Sequence, residues 1–358
     1  MSGEAVGQRR ALAEELRTQR ENIAVRMTEV FLDRHPDWLN RFGKAARIRG
    51  LEDARFHIDF LAGAVQSGSE SAFQNYALWT ARVLDSRGIE PHFLIENLQQ
   101  AGTELRSILA AEDGATIQRF VDGACTAIRA AGSVATGSTD PTDELAADLS
   151  LYIDAVLGGH RTAALGVALE LLRRGLSVPD VYTGLLQAAQ YEVGRRWELN
   201  EISVSTEHMA TAITQFVVAH LYSHLEIPDR QHGNAIITGV KGELHQLGAN
   251  MVADVLEADG WNVRFLGTQM PHNEIMKAVE QHEPRLIGIS TTMLFNLSNV
   301  ADLVEQIRAN AGVDTRIIVG GGAFRQSNGA WRDIGADGLG RDLRQTVDLV
   351  RALLPAPE

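Results

Sequence analysis

Apolar positions recur at three- and four-residue spacing through roughly the first 230 residues, the pattern of amphipathic helices. Helices are expected at 8–34, 51–66, 69–86, 91–111 and 114–130. They are separated by the Asp33-Arg34-His35-Pro36 stop, by Gly68 and by Gly88, and Pro91 suits the first turn of the helix that it opens. The small, polar stretch 131–140 reads as a linker. A second helical block follows, with helices at 142–157, 161–174, 179–198 and 205–225 and a linker at 229–233. Beyond it the period changes. Ala235-Ile236-Ile237-Thr238-Gly239-Val240 is a short apolar, β-branched run, and 261–266, 286–290 and 317–319 resemble it. Amphipathic stretches at 245–259, 273–282 and 299–310 lie between these runs, with a last helix at about 342–354. Strands alternating with helices at this spacing predict parallel βαβ units in a doubly wound, flavodoxin-like sheet. The fold class is therefore all-α followed by α/β. Three domains are expected: a helical domain at 1–137, a four-helix domain at 141–228 and a Rossmann-like domain at 232–358.

Composition narrows the classes. The chain has 358 residues, 45% of them hydrophobic and 22% charged, which is ordinary for a globular protein. A formal charge of −13 argues against nucleic acid as a partner, because phosphate neutralisation needs clustered Lys and Arg. No apolar run approaches bilayer-spanning length, and the stretch from Met1 to Arg10 has no apolar signal core. The single cysteine, Cys125, excludes an internal disulfide and fits a reducing compartment. A cytoplasmic protein without membrane or nucleic-acid partners is expected.

In a doubly wound sheet the ligand sits beyond the C-terminal strand ends. The first strand is followed by Gly242-Glu243-Leu244-His245-Gln246-Leu247-Gly248, the third by Ser290-Thr291-Thr292 and the fourth by Gly320-Gly321-Gly322. A loop histidine gives one ring nitrogen to a metal while the other bonds a carboxylate that fixes its tautomer. Glu243 is the obvious partner for His245. Gly248 allows close backbone approach, Ser290 and Thr292 bring hydroxyls to a strand end, and the glycine run leaves room beside the sheet. Forty-one residues separate Gly248 from Ser290, and 27 separate Thr292 from Gly320. Together these pieces resemble the cobalamin-binding fingerprint shared by methionine synthase, the B12 mutases and corrinoid proteins. The resemblance implies that His245 is the lower axial ligand of cobalt. It places the dimethylbenzimidazole tail beside Ser290, Thr292, Gly320 and Gly321. Two positions depart from the usual pattern: Glu243 replaces Asp, and Thr292 replaces Leu.

The helical block before the sheet carries Trp197, then nine residues, then Glu207-His208. With a cobalamin domain following, this block resembles the four-helix cap over the upper face of the cofactor. The Trp-x9-Glu-His spacing is similar to that of adenosylcobalamin photoreceptors. The resemblance implies that Trp197 shields the upper ligand and that Glu207 and His208 bond an adenosyl group. Light would break the weak cobalt–carbon bond and shift the cap. A further departure is Glu198, which stands where those receptors have a second histidine.

The N-terminal domain carries Arg55, Phe56, His57 and Phe60, then Phe73 and Tyr76. The four aromatics are expected to line one slot, with Arg55, His57 and Tyr76 meeting a planar acidic pigment. A globin-like sensor domain joined to such a cap and core resembles the photocobilins, which implies biliverdin at this slot. Haem on His57 or His92 is the rival pigment. The expected protein is a light sensor using adenosylcobalamin and biliverdin. It would not itself be an enzyme, and it would signal by self-association or through a separate output protein. The alternatives are a corrinoid methyl carrier of a methyltransferase system and a scaffold with an empty, vestigial motif.

Overall fold

The computed structural model describes residues 3–131, 145–310, 314–327 and 329–355. Apart from Ala131, the expected linker at 131–140 lies outside the described residues. The chain forms two compact units.

The first unit is helical: α1 (Gly3–Arg34), α2 (Asp37–Phe42), α3 (Lys44–Ser67), α4 (Glu70–Asp85), α5 (Pro91–Arg106) and α6 (Ala111–Ala131). Leu12, Leu16, Ile23 and Met27 form a buried stripe on α1, which packs along α3 and its buried Ile58, Leu61 and Val65. Gly68 ends α3 in the left-handed region (φ 62°), and the Ser69 hydroxyl then caps α4 by accepting from the Ala72 amide at 3.2 Å. The unit also takes in Met293–Ser298 and Gly322–Asp333. Within it, Gly63 meets Leu294 so closely that a Cβ would stand 2.4 Å from the Leu294 carbonyl oxygen. Phe60 stacks on Tyr76 at 3.9 Å and takes the edge of Phe295 at 5.4 Å.

The second unit holds four helical rods and a sheet. The rods are α7 (Ala146–Leu157), α8 (Arg161–Arg173), a third that runs from α9 (Val178–Val181) through a π-helical turn (Tyr182–Gln187) into α10 (Ala188–Glu198), and α11 (Val204–Leu221). Ser177 and Ser203 cap the third and fourth rods through their hydroxyls. The sheet follows as β1 (Asn234–Val240), α12 (Leu247–Ala258), β2 (Asn262–Met270), α13 (His272–His282), β3 (Leu286–Ser290), α14 (Leu297–Asn310), β4 (Arg316–Gly320), then α15 (Gly322–Gln326) and α16 (Ala330–Asp333), which belong to the first unit, and β5 (Gly338–Gly340) and α17 (Leu343–Leu353). The five strands are parallel in the order β2-β1-β3-β4-β5. The order reverses between β1 and β3, so the crevice beyond their C-terminal ends is the switch point at which doubly wound sheets bind ligands.

Cap and sheet share one core: Tyr152, Tyr182, Leu185 and Val217 of the rods cluster with Met251 and Val255 of α12 and Leu343 of α17. The wide turn aims the Tyr182 hydroxyl at α12, where it donates to Asp254 Oδ2 at 2.7 Å. Asp254 is buried, and burial pushes its carboxyl up to about 6, against the opposing pull of the Tyr182 hydroxyl. A folded-state value above the unfolded one stabilises the protein at low pH, and that contribution is lost as pH rises through about 6. Asp254→Asn keeps the acceptor and removes the charge. It should raise stability at pH 7.5 by about 1–3 kcal/mol and give no gain near pH 4, read from urea midpoints at the two pH values. Among the described residues, no helix is long and apolar enough to cross a membrane.

Candidate functional site

The loop after β1 opens with Gly242 at φ 92°, a conformation that glycine reaches without strain. Two side chains pin this loop. Gln269 Oε1 accepts from the Gly242 amide at 2.9 Å, and Asn299 Nδ2 donates to the Lys241 carbonyl at 3.1 Å. The turn sends Glu243 inward, where it is fully buried, and His245 outward, with 55% of its side chain exposed. Glu243 Oε1 accepts from the His245 backbone amide at 3.0 Å and from His245 Nδ1 at 2.6 Å. Its other oxygen accepts from the Thr292 amide beyond β3 at 2.8 Å. One buried carboxylate therefore ties together the two loops that flank the switch point.

The electrostatics follow from these contacts. Burial works to raise the Glu243 carboxyl, but the donors from His245 and Thr292 outweigh it and leave it below the usual carboxylate range. The bond to Glu243 raises the His245 imidazole against the effect of burial, and the Glu207 charge on the cap adds to the rise. Because Nδ1–H is committed to Glu243, His245 presents the Nε2 lone pair outward, the arrangement of a metal-ligating histidine with its carboxylate behind it.

The other sequence-derived positions lie around this loop. Nothing stands within 4 Å of where a Gly248 Cβ would be. Ser290 ends β3 opposite Gly320 of β4, and the Thr291 amide donates to the Gly320 carbonyl at 2.9 Å. Gly321 adopts φ 97°, and a Cβ there would lie 2.3 Å from the Thr291 carbonyl oxygen. The glycine pair was expected to leave room for a ligand; in the structure Gly321 instead admits the Thr291 backbone. Thr291 Oγ1 is buried without a hydrogen-bond partner. On the cap, Trp197 lies in the last turn of α10, and Glu207 and His208 lie in the first turns of α11, bonded to each other at 2.5 Å. Sequence reasoning missed the Thr292 amide, the Thr291 hydroxyl and the two loop pins. The first acts through its backbone, and the pins come from distant elements, so local spacing carries no signal of either.

The N-terminal residues are brought together only in part: Phe60 and Phe73 stack on Tyr76, while Arg55 and Phe56 stand apart. His57 Nδ1 bonds the Tyr76 hydroxyl at 2.7 Å, and burial pushes the His57 imidazole down to about 4. Arg55 turns away to Glu21, bonded through Nε at 2.9 Å. Residues two apart on a helix point to different sides, so Arg55 and His57 cannot share one face of α3. Phe56 is 47% exposed, whereas Phe73 is buried, so the four aromatics do not line one slot.

Comparison with known proteins defines the class. Residues 233–347 match a family described as B12 binding domain, and residues 150–222 match a second family of the same description. This is a B12-binding protein built of a helical region, a helical cap and a parallel sheet. Its relatives include trimethylamine corrinoid protein 1 of Methanosarcina acetivorans, 27% identical over 209 residues that make up 56% of this chain and 94% of that one. Dimethylamine corrinoid protein 3 of the same organism is 26% identical over 205 residues, again covering 56% and 94%. Among solved structures, the monomethylamine corrinoid protein of Methanosarcina barkeri matches 58% of this chain and 99% of its own, with a TM-score of 0.52 at 20% identity, a likeness of fold.

These relatives correct the light-sensing expectation. They are methylamine corrinoid proteins, and none of those named here is described by light or a bilin. The Trp-x9-Glu-His spacing misled for a physical reason. Trp197 lies in the last turn of one helix and Glu207 in the first turn of the next, so the interval reports the connection between two helices and not the group beneath it.

Proposed function

We propose that this protein is a corrinoid carrier of a methyltransferase system, taking up a methyl group from a methylated amine through one partner enzyme and passing it to another. The observation that carries the reading is the buried Glu243 carboxylate holding His245 with Nε2 outward at the switch point. Relatives named for trimethylamine and dimethylamine support the substrate class.

The residues fit cobalamin. His245 would ligate cobalt through Nε2, with Glu243 setting its tautomer and basicity. Ser290, Thr291, Thr292, Gly320 and Gly321 would flank the nucleotide tail, and the unpartnered Thr291 hydroxyl is a buried polar group that such a tail would satisfy. The open space beside Gly248 would receive the corrin edge. Trp197, Glu207 and His208 would close the cap side, giving a cap at 141–228 over a cobalamin domain at 232–358. Bound cobalamin supplies a cobalt centre that accepts and releases a methyl group. The chain's own residues orient that centre, hold its lower face and exclude water.

The test uses full-length protein loaded with cobalamin and reduced, mixed with methyl-labelled trimethylamine and a methyltransferase for that amine. Label should become bound to the protein and be released when an acceptor methyltransferase and its substrate are added. Loaded protein that never retains label would refute the carrier reading.

A further inference from the structure

The end of β2 loses register with β1 twice. Between Ile237 and Thr238, and again between Thr238 and Val240, β2 carries one residue more than β1. Such bulges re-aim a side chain beside a site. Thr238, fully buried, fastens the first one: its hydroxyl donates to the Gly267 carbonyl at 3.2 Å. Gln269 stands in the second at φ 61°. Left-handed backbone suits Gly or Asn, and a Gln there is strained. The reach of its side chain accounts for it, because Gln269 Oε1 accepts from the Gly242 amide at 2.9 Å.

The other edge of the same peptide is held as well. The Lys241 carbonyl and the Gly242 N–H belong to one peptide plane, and Asn299 Nδ2 of α14 donates to that carbonyl at 3.1 Å. A backbone N–H can only donate and a carbonyl can only accept, so the orientation of both side-chain amides is settled. The clamped plane is the centre of a β-turn. The Glu243 amide donates to the Val240 carbonyl at 3.1 Å, and Gly242 has the positive φ that a type II turn requires at its third residue. Glycine at that position also admits a type I turn, in which the central plane is turned over. Turned over, it would satisfy neither Gln269 nor Asn299. The residue that closes the turn is Glu243, which in turn holds His245.

We propose that Gln269 and Asn299 are positioning residues that clamp both edges of the Lys241–Gly242 peptide and so hold the His245 loop in its ligating arrangement. The proposal rests on the cobalamin reading above. The loop is then ordered before the cofactor arrives, and ligation does not have to order it. Both side chains act through His245 and need not touch the cofactor.

The test titrates full-length protein with hydroxocobalamin, followed by absorption, with His245 present and with His245→Ala. With His245 present, Gln269→Gly and Asn299→Ala should each weaken binding about tenfold. In the His245→Ala background the same two changes should move affinity less than about twofold, because no ligand is left to position. Gln269→Gly suits the left-handed backbone, so its urea midpoint should stay close to wild type. A charge-matched pair separates the hydrogen bond from the charge. Gln269→Glu keeps the acceptor and should bind like wild type, whereas Asn299→Asp sets an acceptor against the Lys241 carbonyl and should bind no better than Asn299→Ala. Losses of equal size with and without His245 would overturn the positioning role. Wild-type affinity in both Gln269→Gly and Asn299→Ala would overturn it too, with the cobalamin site left intact. Wild-type affinity in His245→Ala would overturn the ligand assignment, and no uptake by folded wild type would overturn the cobalamin reading, each taking this proposal with it.

Discussion

His245→Ala is expected to yield folded protein whose cobalamin has no protein nitrogen below cobalt. The imidazole side chain is 55% exposed and contributes little packing, so unfolding midpoints should stay close to wild type. Its loss also leaves the buried Glu243 carboxylate with one donor fewer, the Thr292 amide still holding Oε2. Loss of a carboxylate behind a ligating histidine typically costs 10–100-fold in affinity, so removal of the ligand itself should cost about 100-fold or more. The direct measurement is the electron paramagnetic resonance spectrum of the cobalt(II) form. Wild type labelled with 15N-histidine should show the two-line splitting of a 15N ligand, and the alanine variant labelled in the same way should lack it. Identical splitting in both proteins would show that His245 is not the ligand.

The second large effect is expected at Gly321. Its φ of 97° lies where side-chain-bearing residues are strained, and a Cβ would stand 2.3 Å from the Thr291 carbonyl oxygen. The neighbour is backbone and not the end of a flexible side chain, so the loops just beyond β3 and β4 must move. Backbone strain of about 1–3 kcal/mol adds to overpacking of about 1–3 kcal/mol. Gly321→Val should therefore lose about 2–6 kcal/mol of stability, measured by urea unfolding, and should lose cobalamin binding through displacement of Thr291 and Thr292. Gly329 also has a positive φ (86°), but the nearest atom to its Cβ position is an Arg332 guanidinium nitrogen at 4.0 Å. Gly329→Ala should cost only the backbone strain. Equal losses at the two glycines would show that the contact with Thr291 carries no weight.

Much of the sheet was legible because burial on both faces writes itself into composition. Ile236 and Ile237 of β1 and Ile317 to Val319 of β4 are buried, and their runs stand out as β-branched. β5 was not legible. Gly338-Leu339-Gly340 is a three-residue edge strand with no β-branched residue, and its pairing comes from β4 rather than from its own propensity. Short helices such as α2, α15 and α16 escaped because periodicity needs several turns to register. In the site, Glu243 and His245 were readable because they sit two apart in one strand-end loop, where i,i+2 side chains can meet. The same spacing on α3 separated Arg55 from His57. Function was the least legible, because a helical cap over cobalamin looks alike in spacing whatever its upper face holds.

The helical unit includes Leu294 and Phe295, the residues just beyond the Thr291-Thr292 strand end, and Gly322–Asp333, just beyond Gly321. A fragment beginning at Ala146 would retain every residue of the cobalamin fingerprint yet lose Gly63 and Phe60, against which Leu294 and Phe295 are seated. The segments that follow Thr292 and Gly321 would then lack the rest of the unit they pack in. Domain boundaries drawn from the fingerprint alone would cut through the helical unit, because Met293–Ser298 and Gly322–Asp333 belong to it.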